Sequence, residues 1–260
     1  MRTDVIATSP SLETALEALR ARGLGLRRAS EAPQPARARP SVPTGHPALD
    51  DALGTGGWPR GALAALDATP GSGATTLALG SVAACQATGG LAAWIDLPGT
   101  FDPATAVRLG VDLGWLLVVR PADPGEAIEL ASWLARSGLI DAFGLDLGGM
   151  PAARAALDRL ATLMARGSSI GLVVDGAAGP ASVQVALERV AWLVVGRDLV
   201  GQRVTATVTR QRWSVAGTSA QLDLWFAEGR RIDPLLVAAA EPRPAVEAAE
   251  TRPALRVVGA

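Results

Sequence analysis

Short, uninterrupted apolar runs alternate with helical patterns through most of the chain, and this alternation constrains the fold more than any other feature. The runs predict strands at Ala62–Leu66, Leu91–Ile95, Leu116–Val119, Ala142–Leu145, Ile170–Val174, Trp192–Val195 and Val204–Thr209. Strands that are apolar on both faces are typical of a parallel sheet covered by helices on each side. The sequence therefore favours a sheet buried in the middle of the protein.

The segments between these runs have the apolar spacing of helices. They predict helices at Thr75–Ala87, Pro103–Leu109, Gly125–Ser137, Pro151–Arg166 and Ala181–Val190. After the last parallel unit, residues 193–226 are predicted to form antiparallel hairpins. The predicted class is α/β, with a mostly parallel sheet, helices on both faces and a C-terminal antiparallel hairpin extension.

Residues 41–237 are predicted to form this domain, between two segments of different composition. Residues 1–40 combine an amphipathic helix, whose apolar face carries Leu12, Leu16 and Leu19, with a basic linker rich in Pro, Ala and Arg. The helix either docks on a partner or covers the sheet of its own domain, and the sequence leaves both open. Residues 238–260 are predicted to be a disordered tail.

The composition excludes several kinds of chemistry. The 260 residues include one Cys, one His and no Lys, so an intramolecular disulfide is impossible, and neither a zinc site nor a thiol triad is expected. No apolar stretch reaches the roughly 18 residues of a membrane helix, and Asp4, Glu13 and Glu17 stand where a signal peptide would be apolar. We therefore expect a cytoplasmic protein without a membrane contact.

The junction between the first predicted strand and helix carries the glycine-rich segment Gly71-Ser72-Gly73-Ala74-Thr75-Thr76. In a phosphate loop, glycines let backbone N–H groups surround the phosphates, a Lys contacts the β and γ oxygens, and a Ser or Thr hydroxyl holds Mg²⁺. Here Ala74 replaces the Lys and Ala68 replaces the first Gly. Because one charge-assisted contact contributes about 1.5–3 kcal/mol, nucleotide binding is expected to be millimolar at best. A plain structural turn is the alternative.

The segment before this loop, Thr44–Gly61, resembles the one that precedes the phosphate loop in the RecA family of recombinases. The resemblance continues through Trp94-Ile95-Asp96 and Leu109-Gly110-Val111-Asp112 to Asp146, which closes an apolar run, and then to Leu222–Gly229. Its order and spacing span most of the predicted domain. The resemblance implies a RecA-like phosphate-loop core.

The functional residues of that family are carried over one position at a time. Thr75 and Asp146 match the hydroxyl and the carboxylate that hold Mg²⁺ in these ATPases, whereas Pro98 stands where the family has its water-activating glutamate. Gly176 stands at about the position of the polar sensor. The resemblance thus implies no catalytic residue, no metal unless Mg-nucleotide binds, and no cofactor beyond weakly bound Mg-ATP. The vestigial nucleotide site comprises Gly71, Ser72, Gly73, Ala74, Thr75, Thr76 and Asp146.

Arg210 and Arg212 have the parity of the apolar positions 204, 206 and 208, so an extended strand would place all five side chains on one face. Matching cationic residues in the family reach a neighbouring subunit's nucleotide. We therefore expect inter-subunit or partner contacts here and on the face of the N-terminal helix, with a solvated strand end as the alternative.

The loop Gly176–Pro180 carries no basic or aromatic residue, so the sequence leaves DNA contact open.

A RecA-type core without the lysine, the glutamate and the DNA loops is similar to the ImuA group of RecA-like proteins, which is also labelled cell-division-inhibitor-like. That resemblance implies a non-catalytic accessory protein of the DNA-damage (SOS) response, a scaffold for error-prone translesion synthesis. Its partners would be polymerase-related proteins of a mutagenesis complex, with a RecA-type recombinase as a further candidate. The alternatives are an ATP-dependent RecA-like protein of DNA binding and recombination, and a cell-division inhibitor.

Overall fold

The computed structural model describes residues 39–69, 71–151, 154–174, 179–195 and 197–226, and the backbone of residues 241–244. The strands are β1 (Ser41–Val42), β2 (Trp58–Pro59), β3 (Leu63–Ala68), β4 (Ala92–Asp96), β5 (Leu116–Val119), β6 (Ala142–Asp146), β7 (Ile170–Val174), β8 (Val183–Val195), β9 (Asp198–Gln211), β10 (Ser219–Trp225) and β11 (Glu241–Pro244). The helices are α1 (Pro47–Leu53), α2 (Ala74–Ala87), α3 (Pro103–Arg108), α4 (Pro124–Ser137) and α5 (Arg154–Met164), with a 3₁₀ turn at Leu113–Trp115. The helix predicted around Leu12–Leu19 lies outside the described residues.

Nine of the described strands form one sheet. Eight of them lie side by side in the order β10, β9, β8, β3, β7, β6, β4, β5, and β11 pairs with β8. The pairs from β8 through β3 to β5 are parallel, whereas β9 and β10 follow β8 as antiparallel neighbours. This topology confirms the predicted α/β fold, with its mostly parallel sheet and its antiparallel extension.

Helices cover both faces of the sheet. On one face, α2 contributes Leu77 to a buried apolar cluster that includes Leu172 of β7. On the other face, α4 and α5 contribute Leu134 and Leu160 to a second buried cluster with Leu145 of β6. All five residues of β6 are buried, because helices cover the sheet on both sides. Such a strand has no face open to solvent where a polar side chain could lie. The polar site residues therefore lie at strand ends and in loops.

The helix predicted at Ala181–Val190 is wrong, because this segment forms the first part of β8. Val183, Val185 and Leu187 are buried, and the two residues between them are half-buried, which is the period-2 pattern of a strand. The four-residue spacing between Val183 and Leu187 also fits one face of a helix. Pairing with β3 on one side and β9 on the other decides for the strand.

The remaining predicted helices and strands occur with their ends shifted by a few residues. The predicted helix Pro151–Arg166, for example, is α5 at Arg154–Met164, and the strand predicted at Trp192–Val195 is the end of β8. Within the segment predicted as a disordered tail, Glu241–Pro244 form β11, which pairs with residues 191–194 of β8. The other residues after Phe226 lie outside the described residues.

Cys85 lies on α2 with none of its surface exposed, so it packs as a small apolar residue. Burial, assisted by the charge of Asp141, raises the pKa of the Cys85 thiol to about 11. Between the ordinary thiol value of 9.0 and about 11, the unfolded state loses this proton while the folded state keeps it. The free energy of unfolding should therefore fall over this interval, and more in the wild type than in Cys85→Ala. Urea titrations of both proteins at several pH values measure the difference, and equal slopes would contradict the assignment.

Candidate functional site

The glycine-rich segment lies between the end of β3 and the start of α2, as the sequence predicts. Gly71 and Gly73 have φ values of +81° and +95°, which only glycine adopts without strain. The Ser72 hydroxyl and amide both donate to the Thr69 carbonyl, at 2.7 and 3.0 Å. The chain thus makes a closed turn that ends at the N-terminus of a 14-residue helix, an arrangement suited to binding an anion.

Thr75 and Asp146, the pair that the resemblance assigns to Mg²⁺, line one cavity of about 180 Å³ together with Trp94 and Thr105. One carboxylate oxygen of Asp146 accepts a hydrogen bond from the amide of Gly148 at 2.9 Å. A hydroxyl and a carboxylate fit a Mg²⁺ ion that takes its other ligands from water and phosphate oxygens. Among the described residues there is no cluster of three or more His, Cys, Asp or Glu side chains that could hold a metal ion.

Pro98 lies beside this pair. A Cβ atom on Gly148 would be 3.0 Å from the Cβ atom of Pro98, so the loop after β4 contacts the loop that begins at Asp146. The residue that the resemblance matches to the family's proton acceptor therefore contacts the loop that follows Asp146, and its side chain cannot take a proton. Gly176, at about the sensor position, lies outside the described residues.

The expected face shared by Arg210 and Arg212 with positions 204, 206 and 208 is wrong. Val185 pairs with Val208, but Gln184 pairs with Arg210, so Thr209 is an extra residue that forms a β-bulge. Such a residue reverses the alternation of side chains beyond it. Gln211 is consequently buried and Arg210 exposed, and neither arginine lines the pocket around the glycine loop.

Sequence reasoning missed Arg189, which the structure places over the glycine loop. Leu187 of β8 pairs with Ala68, the last residue of β3, and Arg189 lies two residues further along the same strand. Its Nη1 atom donates to the Gly71 carbonyl at 3.1 Å, and its guanidinium carbon lies 4.1 Å from the centroid of the Trp192 ring. The sequence signal is the alternation Val183, Val185, Leu187, Arg189. These residues share one face only if the segment is a strand, so the predicted helix concealed it.

Gln202 of β9 completes this side of the loop. It pairs with Trp192 of β8 and with Leu224 of β10, and 1% of its surface is exposed. A Cβ atom on Gly73 would lie 2.7 Å from Gln202 Nε2 and 2.3 Å from Leu224 Cδ1, so any larger residue would displace these side chains in addition to straining the backbone at its φ of +95°. The Gln202 Oε1 atom is buried without a hydrogen-bond partner among the described residues.

These side chains and the loop enclose a pocket of about 390 Å³. Thr69, Gly71, Gly73, Ala74, Thr75 and Thr76 line one side. Arg189, Trp192, Leu199, Gln202 and Phe226 line the other. The pocket therefore combines a glycine-rich loop with one cation, one amide and an apolar wall, and the loop carries Ala74 where the resemblance predicts a lysine.

A parallel sheet with a glycine loop after β3 and an acidic residue at the end of β6 defines an α/β protein of the phosphate-loop class. Comparison with known proteins narrows this class. The family described as the RecA N-terminal domain matches residues 32–159. The chain is 32% identical over 248 residues to Protein RecA of Nocardia farcinica, covering 80% of this chain and 71% of that one. The chain belongs to the RecA family.

Two further relatives show how the similarity is distributed. Protein RecA of Chlorobaculum tepidum is 30% identical over 228 residues, which cover 72% of this chain and 66% of that protein. Protein RecA of Acidothermus cellulolyticus is 49% identical over 105 residues, which cover 40% of this chain and 30% of that protein.

Among the described residues, no helix has the length and apolar character needed to cross a membrane.

Proposed function

We propose that this RecA-family protein does not hydrolyse ATP and acts as an accessory scaffold, in the cytoplasm, for error-prone translesion synthesis after DNA damage. The resemblance to the ImuA group supports this role. The observation that carries it is the site itself, where alanine stands at the lysine position of the loop and Pro98 stands at the position of the proton acceptor. A pocket of this composition lacks the group that would activate water.

The neighbouring carboxylates are poor substitutes for the missing glutamate. Asp96 is fully buried, and its two oxygens accept hydrogen bonds from the amides of Thr100 and Phe101, at 2.9 and 3.1 Å. Arg120 Nε binds the same carboxylate at 3.3 Å. These contacts commit Asp96 to holding the loop that follows β4.

Asp102 lines the cavity that contains Thr75 and Asp146, so its ability to accept a proton matters. The Thr105 hydroxyl, followed by the amides of Ala104 and Thr105, donates to its carboxylate and lowers the pKa of Asp102. A carboxylate with a lowered pKa is a weaker base, whereas an efficient general base has a pKa near the working pH. Asp102 therefore caps α3 rather than activating water.

An apolar surface at the edge of the sheet supports the proposed scaffold role. We call it the β5 edge and define it by Leu113, Trp115, Leu117 and Val118. Trp115 and Leu117 are 59% and 47% exposed, and β5 pairs only with β4 among the described strands. An edge strand offers unpaired backbone groups, and neighbouring exposed apolar side chains are typical of interaction sites.

Substitution of Trp115 tests this role. Tagged wild-type protein is expected to recover polymerase-related proteins from DNA-damaged cells, and Trp115→Asp should reduce that recovery by about tenfold or more, because tryptophans often dominate interfaces. The Gln86 side chain holds the backbone here through the carbonyls of Asp112 and Trp115, at 2.9 and 3.0 Å, so the variant should fold.

Trp133→Asp is the matched control, since Trp133 lies on α4 and is 57% exposed. Equal recovery by wild type and Trp115→Asp would remove the β5 edge from the proposal. Recovery of a septum-forming tubulin relative instead of polymerase subunits would favour a cell-division inhibitor. Recovery of a RecA-type recombinase together with ATP turnover would favour an ATP-dependent recombination protein.

A further inference from the structure

Two buried polar atoms in the pocket around the glycine loop have no partner among the described residues. They are Nε of Arg189, a donor, and Oε1 of Gln202, an acceptor. Native proteins pair nearly all their buried polar groups, so a ligand in this pocket would meet one donor and one acceptor that no described residue already pairs. The carboxamide of Gln202 can also rotate to present its NH₂ group as a donor.

The guanidinium of Arg189 is held in place before any ligand arrives. The Gly71 carbonyl accepts from Nη1, and the Trp192 ring lies beneath the guanidinium carbon. None of the ion pairs among the described residues includes Arg189. Its charge is thus fixed at the loop, and no carboxylate of the described residues neutralises it. A fixed cation loses little conformational entropy when it binds an anion.

The rest of the pocket matches the same kind of ligand. The turn at Gly71 and Gly73 leads into the N-terminus of α2, where backbone N–H groups and the helix dipole favour negative charge. The guanidinium is planar and forms paired hydrogen bonds to phosphate oxygens, as a lysine ammonium does not. These features converge on a phosphate-bearing anion.

We infer that Arg189, reaching over from β8, supplies the cation that the glycine loop lacks, and that this cation lets the pocket bind diphosphate groups even when no divalent cation is present. Gln202 contributes a further polar contact from β9. The expectation that nucleotide binds with millimolar affinity at best rests on alanine at position 74 and assumes that no other cation reaches the loop. Because Arg189 reaches the loop, that limit no longer applies. This inference is independent of the proposed accessory role, because it concerns binding and not hydrolysis or partner contact.

Calorimetric titration of the full-length protein with pyrophosphate in EDTA tests the inference. The wild type is expected to bind, and Arg189→Gln should raise the dissociation constant about 10- to 100-fold, the factor that corresponds to one charge-assisted contact. Arg159→Gln, which removes an exposed arginine of α5, should bind as the wild type does. Absence of binding by the wild type, or equal constants for wild type and Arg189→Gln, would overturn the inference.

Gln202→Leu keeps the test decisive if Arg189→Gln does not fold. Removing a buried polar atom that lacks a partner should raise the melting temperature of the free protein, and the same change should weaken pyrophosphate binding several-fold. A purely structural glutamine would lower the melting temperature and leave binding unchanged, which would count against the site. Pyrophosphate and ADP, which carry the same number of phosphoryl groups, are compared in EDTA to distinguish the source of the diphosphate. Tighter binding of ADP would indicate that the nucleoside also contacts the pocket, whose apolar wall contains Trp192 and Phe226.

These outcomes separate the inference from the proposed function. Pyrophosphate binding without recovery of polymerase-related proteins would retain the anion site and remove the scaffold. Recovery of those proteins without pyrophosphate binding would do the reverse.

Discussion

The purified protein should release no phosphate from Mg-ATP above the uncatalysed rate, with or without DNA. Pro98 cannot accept the proton of an attacking water, and a positioned general base typically contributes 10²–10⁴-fold to a rate. Losing electrostatic stabilisation of the transition state costs about another 10²–10³-fold. Arg189 offers a cation to the ground-state anion, but it does not restore the base. A sensitive phosphate-release assay, with a RecA-family ATPase as the positive control, measures the rate.

Asp146→Asn serves as the control for contaminating ATPases. Asp146 is the carboxylate of the magnesium pair, so turnover that persists in Asp146→Asn comes from another protein. Turnover by the wild type that disappears in this variant would contradict the proposal of a non-hydrolysing protein and would favour an ATP-dependent enzyme.

Gly144→Ala should lower the free energy of unfolding by about 3 kcal/mol, at the upper end for overpacking of a core. Gly144 of β6 pairs directly with Trp94 of β4, and the indole ring lies across it. A Cβ atom on Gly144 would lie 2.3 and 2.4 Å from Cε3 and Cζ3 of Trp94. Trp94 is 1% exposed and belongs to the buried core, so a shift of its ring would disturb the side chains packed against it. Urea unfolding monitored by circular dichroism measures the loss.

A double-mutant cycle with Trp94→Phe isolates this contact. Phenylalanine lacks the fused ring, so Gly144→Ala should cost at least about 1 kcal/mol less in the Trp94→Phe background than in the wild type. Additive effects of the two changes, or a cost below about 0.5 kcal/mol for Gly144→Ala alone, would show that the ring does not occupy this space.

Most of the parallel part of the fold could be predicted from the sequence, because its strands contain apolar runs and the strands from β3 to β6 are each followed by a recognisable helix. The end of β6 at Asp146 and the start of α2 after Gly73 follow from the same reasoning, since a polar or flexible residue interrupts an apolar run there. The segment after residue 180 could not be predicted so well. Over a few residues, Val183 and Leu187 fit either periodicity, and only their pairing with β3 and β9 decides between them.

The face on which Arg210 lies shows a second limit. Parity arguments hold only for an uninterrupted strand, and the extra residue Thr209 reverses the alternation. Nothing in the local sequence marks this bulge, because it arises where β9 changes its register against β8. The face of the sheet on which a side chain near a strand end lies is thus decided by how that strand pairs with its neighbour.

By itself, the sequence determined which groups this protein lacks, because the side chains available in a chain are a matter of composition. It contains no lysine, and the resemblance to the RecA family matches Ala74 and Pro98 to the positions of that family's loop cation and proton acceptor. Only the tertiary structure decided which side chain places a cation at the glycine loop. Arg189 reaches Gly71 across 118 residues of chain, since the register of β8 on β3 brings it there, and no local pattern encodes that register.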